Sequence, residues 1–95
     1  MAMTEMPELQ QLASIAGIIA GVLSIGAFVP QALRIIRRRA AADVSLAMYL
    51  AIIVASVLWM FYGYAKGSIE LLVTNFVIGV IAIVIALLRI RYGGK

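Results

Sequence analysis

Three apolar runs separated by short polar links decide what this chain can become. They cover about residues 12–33, 44–65 and 69–88. A helix rises about 1.5 Å per residue, so roughly 20 residues cross a hydrocarbon core of roughly 30 Å. None of the runs holds Lys, Arg, Asp or Glu in its interior; Glu70 stands at one end. Lipid offers no partner for a backbone N–H or C=O, so each run must satisfy its own as a helix. The reading is an all-α integral membrane protein, a bundle of three transmembrane helices. They form one unit over residues 12–92, with a short tail at 1–11 and another at 93–95. Residues 1–10 carry Glu5 and Glu8 and no Lys or Arg. A secretory signal needs a basic n-region, so this segment is read as a disordered tail instead.

Composition and charge narrow the classes of function. The chain is 65% hydrophobic, against about half in a soluble domain. It has no cysteine, so no disulfide and no thiolate metal site, and no histidine. The net charge is +4, but the basic residues cluster at the ends of the apolar runs. That pattern reports topology rather than a nucleic-acid footprint. Arg34, Arg37, Arg38 and Arg39 follow the first run, and Arg89, Arg91 and Lys95 follow the third. Only Lys66 lies at the other side. The positive-inside rule therefore places the 1–2 link and the C-terminus in the cytoplasm and the N-terminus outside. The turn Lys66-Gly67-Ser68 is short, so the second and third helices are antiparallel neighbours.

Individual positions stand out within each run. In the first helix Pro30 lacks a backbone donor and crowds the carbonyl of Gly26, which marks a hinge. It lies ~11 Å from the helix midpoint toward the arginines. Gly17 and Gly21 form a GxxxG spacing among Ala13, Ala16, Ala20, Ser24 and Ala27. That face suits either packing within the chain or a dimer or pathway face. In the second helix Ser45, Met48, Ile52, Ser56, Trp59, Gly63 and Lys66 recur at spacings of three and four and are read as one face. Tyr62 sits at its edge, and Leu50, Ile53, Val54, Val57 and Phe61 form the opposite side. In the third helix Asn75 lies beside Thr74, with Gly79, Ala82 and Ala86 continuing its face. Trp59 and Asn75 lie ~7 Å and ~5 Å from their helix midpoints, both toward the outside. An unpaired amide in hydrocarbon costs several kcal/mol, so Asn75 must face another helix or a wet cavity.

These residues contain no catalytic set, no metal cluster and no phosphate loop. The reading is therefore not an enzyme, with no cofactor. No acid lies in a span interior to act as a proton relay, which favours uncoupled transport. An indole stacks on the C–H face of a sugar while a carboxamide both donates to and accepts from hydroxyls. Trp59 and Asn75 are thus the candidate substrate residues, with Ser24 and Ser56 as further lining. Three helices cannot surround a sugar-sized path, which points to a homodimer about a two-fold axis.

Four segments now carry a resemblance. Phe28-Val29-Pro30-Gln31 ends the first helix, and Asp43-Val44-Ser45-Leu46-Ala47-Met48-Tyr49 opens the second. Leu58-Trp59-Met60-Phe61-Tyr62-Gly63 ends it, and Asn75 lies in the third. Over residues 12–92 the chain closely resembles the SemiSWEET sugar transporters, single-repeat bacterial relatives of SWEETs within the PQ-loop group. The resemblance implies a bacterial inner-membrane protein, helix order 1-3-2, a parallel homodimer and alternating access by facilitated diffusion. It implies that Trp59 and Asn75 line the sugar pocket, that Pro30, Gln31 and Phe28 form the hinge and inner gate, and that Tyr62 and Lys66 form the outer gate. The chain departs from the family pattern in carrying Lys66 for an Arg and Ser68 for an Asp. Glu70 is the candidate replacement partner for Lys66, from the neighbouring subunit. A small pore-forming or holin-like protein, or a PQ-loop carrier of another solute, remains as an alternative.

Overall fold

The computed structural model describes residues 7–93. Three helices make up the fold: α1 Pro7–Arg38, α2 Leu46–Lys66 and α3 Ile69–Tyr92. Each is long and apolar enough to cross a membrane, and the described residues hold no strand. Large apolar side chains such as Leu12, Val22, Leu23, Phe61, Leu87 and Ile90 face outward. That inverts the arrangement of a soluble bundle and fits a surface solvated by lipid, so this is a membrane protein.

α1 starts earlier than its apolar run. Residues 7–11, expected within a disordered tail, form its first turns. Pro7 suits a first helical position, where its missing donor is unneeded, and Glu8 follows it at the positive end of the helix dipole. Residues 1–6 of the expected tail, and residues 94 and 95, lie outside the described residues.

The two links are built differently. Gly67 takes a left-handed φ of 71°, which glycine adopts without penalty. Its N–H reaches the Tyr64 carbonyl at 3.2 Å, and the Ser68 N–H reaches Gly63 at 2.8 Å. This pair of bonds is a Schellman closure. The Ser68 hydroxyl then accepts from Leu71 N at 3.3 Å and so caps α3. Two residues thus end one helix and start the next. The α1–α2 link is longer and is tied to the far end of α3. Ala41 N donates to the Tyr92 carbonyl at 3.2 Å, and Arg89 Nε donates to the Val44 carbonyl at 2.7 Å. Ser45 caps α2 by accepting from Met48 N at 3.1 Å.

α3 is the central element. It packs along both α1 and α2, which make no backbone approach to each other among the described residues. The spatial order is 1-3-2, as the resemblance implies. Small residues set both seams. A side-chain carbon added at Gly21 would lie 2.6 Å from Thr74 Oγ1. One added at Gly79 would lie 3.4 Å from Ser56 Cβ, and one at Gly63 2.9 Å from Leu71 Cβ. The GxxxG spacing therefore serves packing within the chain, since close backbone approach drives helix association in lipid. Buried apolar side chains gather at the arginine-bearing end: Ile35, Ala41, Val44, Tyr49, Ala82, Ile85 and Ala86.

Candidate transport site

The expected face of α2 divides in two. Ser56 is 2% exposed and lies with Gly63 in the seam against α3, whereas Trp59 is half exposed. Ser56 meets Gly79 across that seam. Its expected place in a pathway lining is therefore corrected to helix–helix contact. Spacings of three and four span a broad arc, and the α3 contact uses only one edge of it. Ile53, on the opposite side that suits lipid or core, packs against the core.

Register fixes depth. α2 and α3 are antiparallel, so advancing on one retreats on the other. Ser56 opposes Gly79, and seven residues further Gly63 opposes Leu72. Four residues from the first pair, Met60 comes opposite Asn75. Trp59 and Asn75 thus stand one residue, ~1.5 Å, apart along the bundle axis.

Rotation fixes direction. At 100° per residue, Trp59 lies about 60° from the Ser56 edge of α2, on the side turned toward α1. Ser24 and Gln31 lie about 60–80° from Gly21 on α1. Asn75 falls between Thr74, which meets α1, and Gly79, which meets α2. Trp59 and Asn75 therefore open on one cleft, walled by α2 and floored by α3. The exposures agree: Trp59 and Tyr62 are 50% and 47% exposed, against 72% and 77% for Phe61 and Tyr64 on the outward side.

The polar side chains of this region are held locally. Asn75 Nδ2 donates to its own helix at Leu71 O, 2.9 Å, and its carboxamide oxygen accepts from no described residue. Ser24 Oγ donates to Ala20 O at 2.8 Å. No hydrogen bond joins Trp59 to Asn75 among the described residues. Beside Trp59 is an open groove of ≈450 Å³ lined by Ala55, Leu58, Trp59 and Tyr62.

Toward the Gly67 turn, side chains stack in a column. The Trp59 and Tyr62 rings meet edge to face at 5.6 Å and 87°, a favourable quadrupole geometry. Lys66 Nζ lies 5.9 Å from the Tyr62 ring centre, near the limit for a cation–π contact. Lys66 and Glu70 make no ion pair within the protomer. Glu70 instead accepts from the Ser68 hydroxyl at 3.2 Å and lines a ≈280 Å³ pocket with Ser14, Gly17 and Thr74.

The opposite end is bridged. Tyr49 is fully buried, and its hydroxyl donates to Gln31 Oε1 at 2.6 Å. Its ring meets Phe28 edge on at 6.1 Å. These contacts join α1 to α2. Tyr49 is the residue that reading by position missed. The available signal was chemical, because a phenol deep in an apolar helix needs a polar partner and Gln31 is the side chain that offers one. Pro30 points elsewhere. It sits about 180° from Gly21, exposed on the outer side of α1.

Comparison with known proteins agrees with this architecture. The PQ loop repeat family matches residues 12–72. A sugar transporter SemiSWEET from Bradyrhizobium diazoefficiens is 32% identical over 82 residues, 86% of this chain and 95% of its own length. The chain belongs to the SemiSWEET family. A second sugar transporter SemiSWEET, from Leptospira biflexa, is 30% identical over 64 residues, 67% of this SemiSWEET chain and 75% of its own. A crystal structure of a bacterial homologue of SWEET transporters matches with a TM-score of 0.82 at 38% identity. That match covers 86% of this SemiSWEET chain and 99% of the homologue.

Proposed function

We propose that this protein is a passive sugar transporter that works as a parallel homodimer by alternating access. The observation that carries the reading is the placement of Trp59 and Asn75. They share one depth and one cleft, with no formal charge at their level. An indole face takes the apolar side of a sugar ring, and the free carboxamide oxygen accepts from its hydroxyls. One protomer leaves that cleft open along its length. A second copy related by a two-fold axis along the membrane normal closes it, bringing two Trp59 and two Asn75 to a shared cavity. With no acid in a span interior, flux follows the sugar gradient.

Phe28, Gln31 and Tyr49 form the inner gate, which opens as α1 bends at Pro30. Tyr62 and Lys66 form the outer gate, with Glu70 of the facing subunit as the partner of Lys66. The arginine-bearing end faces the cytoplasm of a bacterial inner membrane, and the Gly67 turn faces outside.

Uptake of a panel of labelled mono- and disaccharides and amino acids into proteoliposomes tests this. The expected result is saturable sugar exchange, lost on Trp59→Ala and on Asn75→Ala and unchanged by a protonophore. Wild-type rates in both variants would end the pocket assignment. Amino-acid exchange without sugar exchange would move the protein to the PQ-loop carriers of other solutes. Unselective leak would make it a pore.

A further inference from the structure

The arginines after Pro30 do more than report topology. Topology needs positive charge at one end of the bundle but does not need it on one face. Arg34, Arg37 and Arg38 have the spacing that stacks side chains on one side of a helix. With Pro30 and Leu33 they line a groove of ≈320 Å³. The groove lies on the side of α1 opposite Gly21, so it opens away from the cleft and the other helices, into the bilayer. Its charges are under-used. Arg34 stands 3.7 Å from Asp43, with both side chains largely exposed. Arg37 and Arg38 make no hydrogen bond or ion pair with a described residue.

We propose that this groove binds the headgroup of an anionic phospholipid. Arg37 and Arg38 grip the phosphate, which a guanidinium can meet with two parallel bonds. Leu33 and Pro30 carry the start of an acyl chain. The dimensions suit this. Pro30 to Arg37 is seven residues, ~10 Å of helix, enough to pass from acyl chain to headgroup level. Val29, Leu33 and Ile36 are exposed alongside, so the apolar floor continues into the lipid-facing surface. A free phosphate would have no use for that floor, which is why the occupant is a lipid.

The test is native mass spectrometry of the full chain in mild detergent, titrated with phosphatidylglycerol or phosphatidylcholine of matched chains. The wild type is expected to retain phosphatidylglycerol preferentially. That preference should fall about five-fold for each arginine removed in Arg37→Gln and Arg37→Gln/Arg38→Gln. Arg91→Gln removes the same charge from the same end outside the groove and should keep the preference. Arg37→Lys/Arg38→Lys should keep part of it, having charge without the fork. An unchanged preference in Arg37→Gln, or an equal loss in Arg91→Gln, overturns the site. Full displacement of the lipid by millimolar inorganic phosphate overturns the lipid and leaves a simple anion site. Should the double glutamine variant fail to assemble, the single variant and the lysine pair still decide the matter.

Discussion

The two ends of this bundle solve different problems. At the arginine-bearing end, α1, α2 and α3 are tied together by large buried side chains, a Tyr49–Gln31 bond and a link that bonds back to α3. At the turn end α1 meets α3 at Gly17 and Gly21, with Ser14 beside Glu70, and among the described residues no hydrogen bond joins α1 to α2 there. Side-chain bonds fasten α1 to α2 at one end, while at the other α1 rests on α3 mainly through small residues. The proposed alternating access would use this difference in kind. Directional bonds make a gate with defined closed geometry, while small-residue contact leaves helices free to pivot.

Four substitutions probe that contrast. The largest effect is expected from Tyr49→Ala, which removes the Phe28 and Gln31 contacts together. Truncating a buried aromatic costs about 3–5 kcal/mol, read as a fall in unfolding midpoint in detergent. A loss no greater than for an exposed residue such as Phe61→Ala would mean the arginine end is not specially fastened. Next is Gly21→Val, which drives a side chain into Thr74 and should destabilise by about 1–3 kcal/mol. Adding Thr74→Ala should restore much of that stability, and failure to do so would place the strain elsewhere. Tyr49→Phe keeps the ring and deletes one hydrogen bond, worth about 1 kcal/mol. Spin-label distances between α1 and α2 at the arginine end should broaden, while those at the turn end stay fixed. Asp43→Asn should be smallest, about 0–1 kcal/mol, because its pair with Arg34 is exposed. A larger loss would make the link itself a fastening.

Much of this fold was legible from residue order. Run length gave three spans, and the two-residue turn forced α2 against α3. The central place of α3 was not legible from periodicity, because a pattern says which face is special without saying which neighbour meets it. Ser56 and Trp59 show the limit most clearly. They sit three residues apart and seem interchangeable on a spacing argument, yet one is sealed in a seam and the other opens on the cleft. The roughly 60° between them is decided by where α3 lies. Gly17 and Gly21 posed the same question, answered by Glu70 and Thr74. The expected candidates Phe28 and Gln31 do converge, but on Tyr49, whose role depends on a partner eighteen residues away.

The Gly67–Ser68 turn also bears on how the protein enters a membrane. With the Gly67 turn on the outer side, as proposed, an inserting hairpin must carry whatever lies between its helices through the hydrocarbon. Here that cargo is Lys66 and two small residues. The turn's backbone donors at Gly67 and Ser68 are already bonded to α2, and the Ser68 hydroxyl is bonded to α3. Apart from the Lys66 ammonium and the Glu70 carboxylate in the first turn of α3, few polar groups have to shed water during the crossing. α2 and α3 are therefore suited to insert together as a preformed pair, with α1 arriving as a separate span.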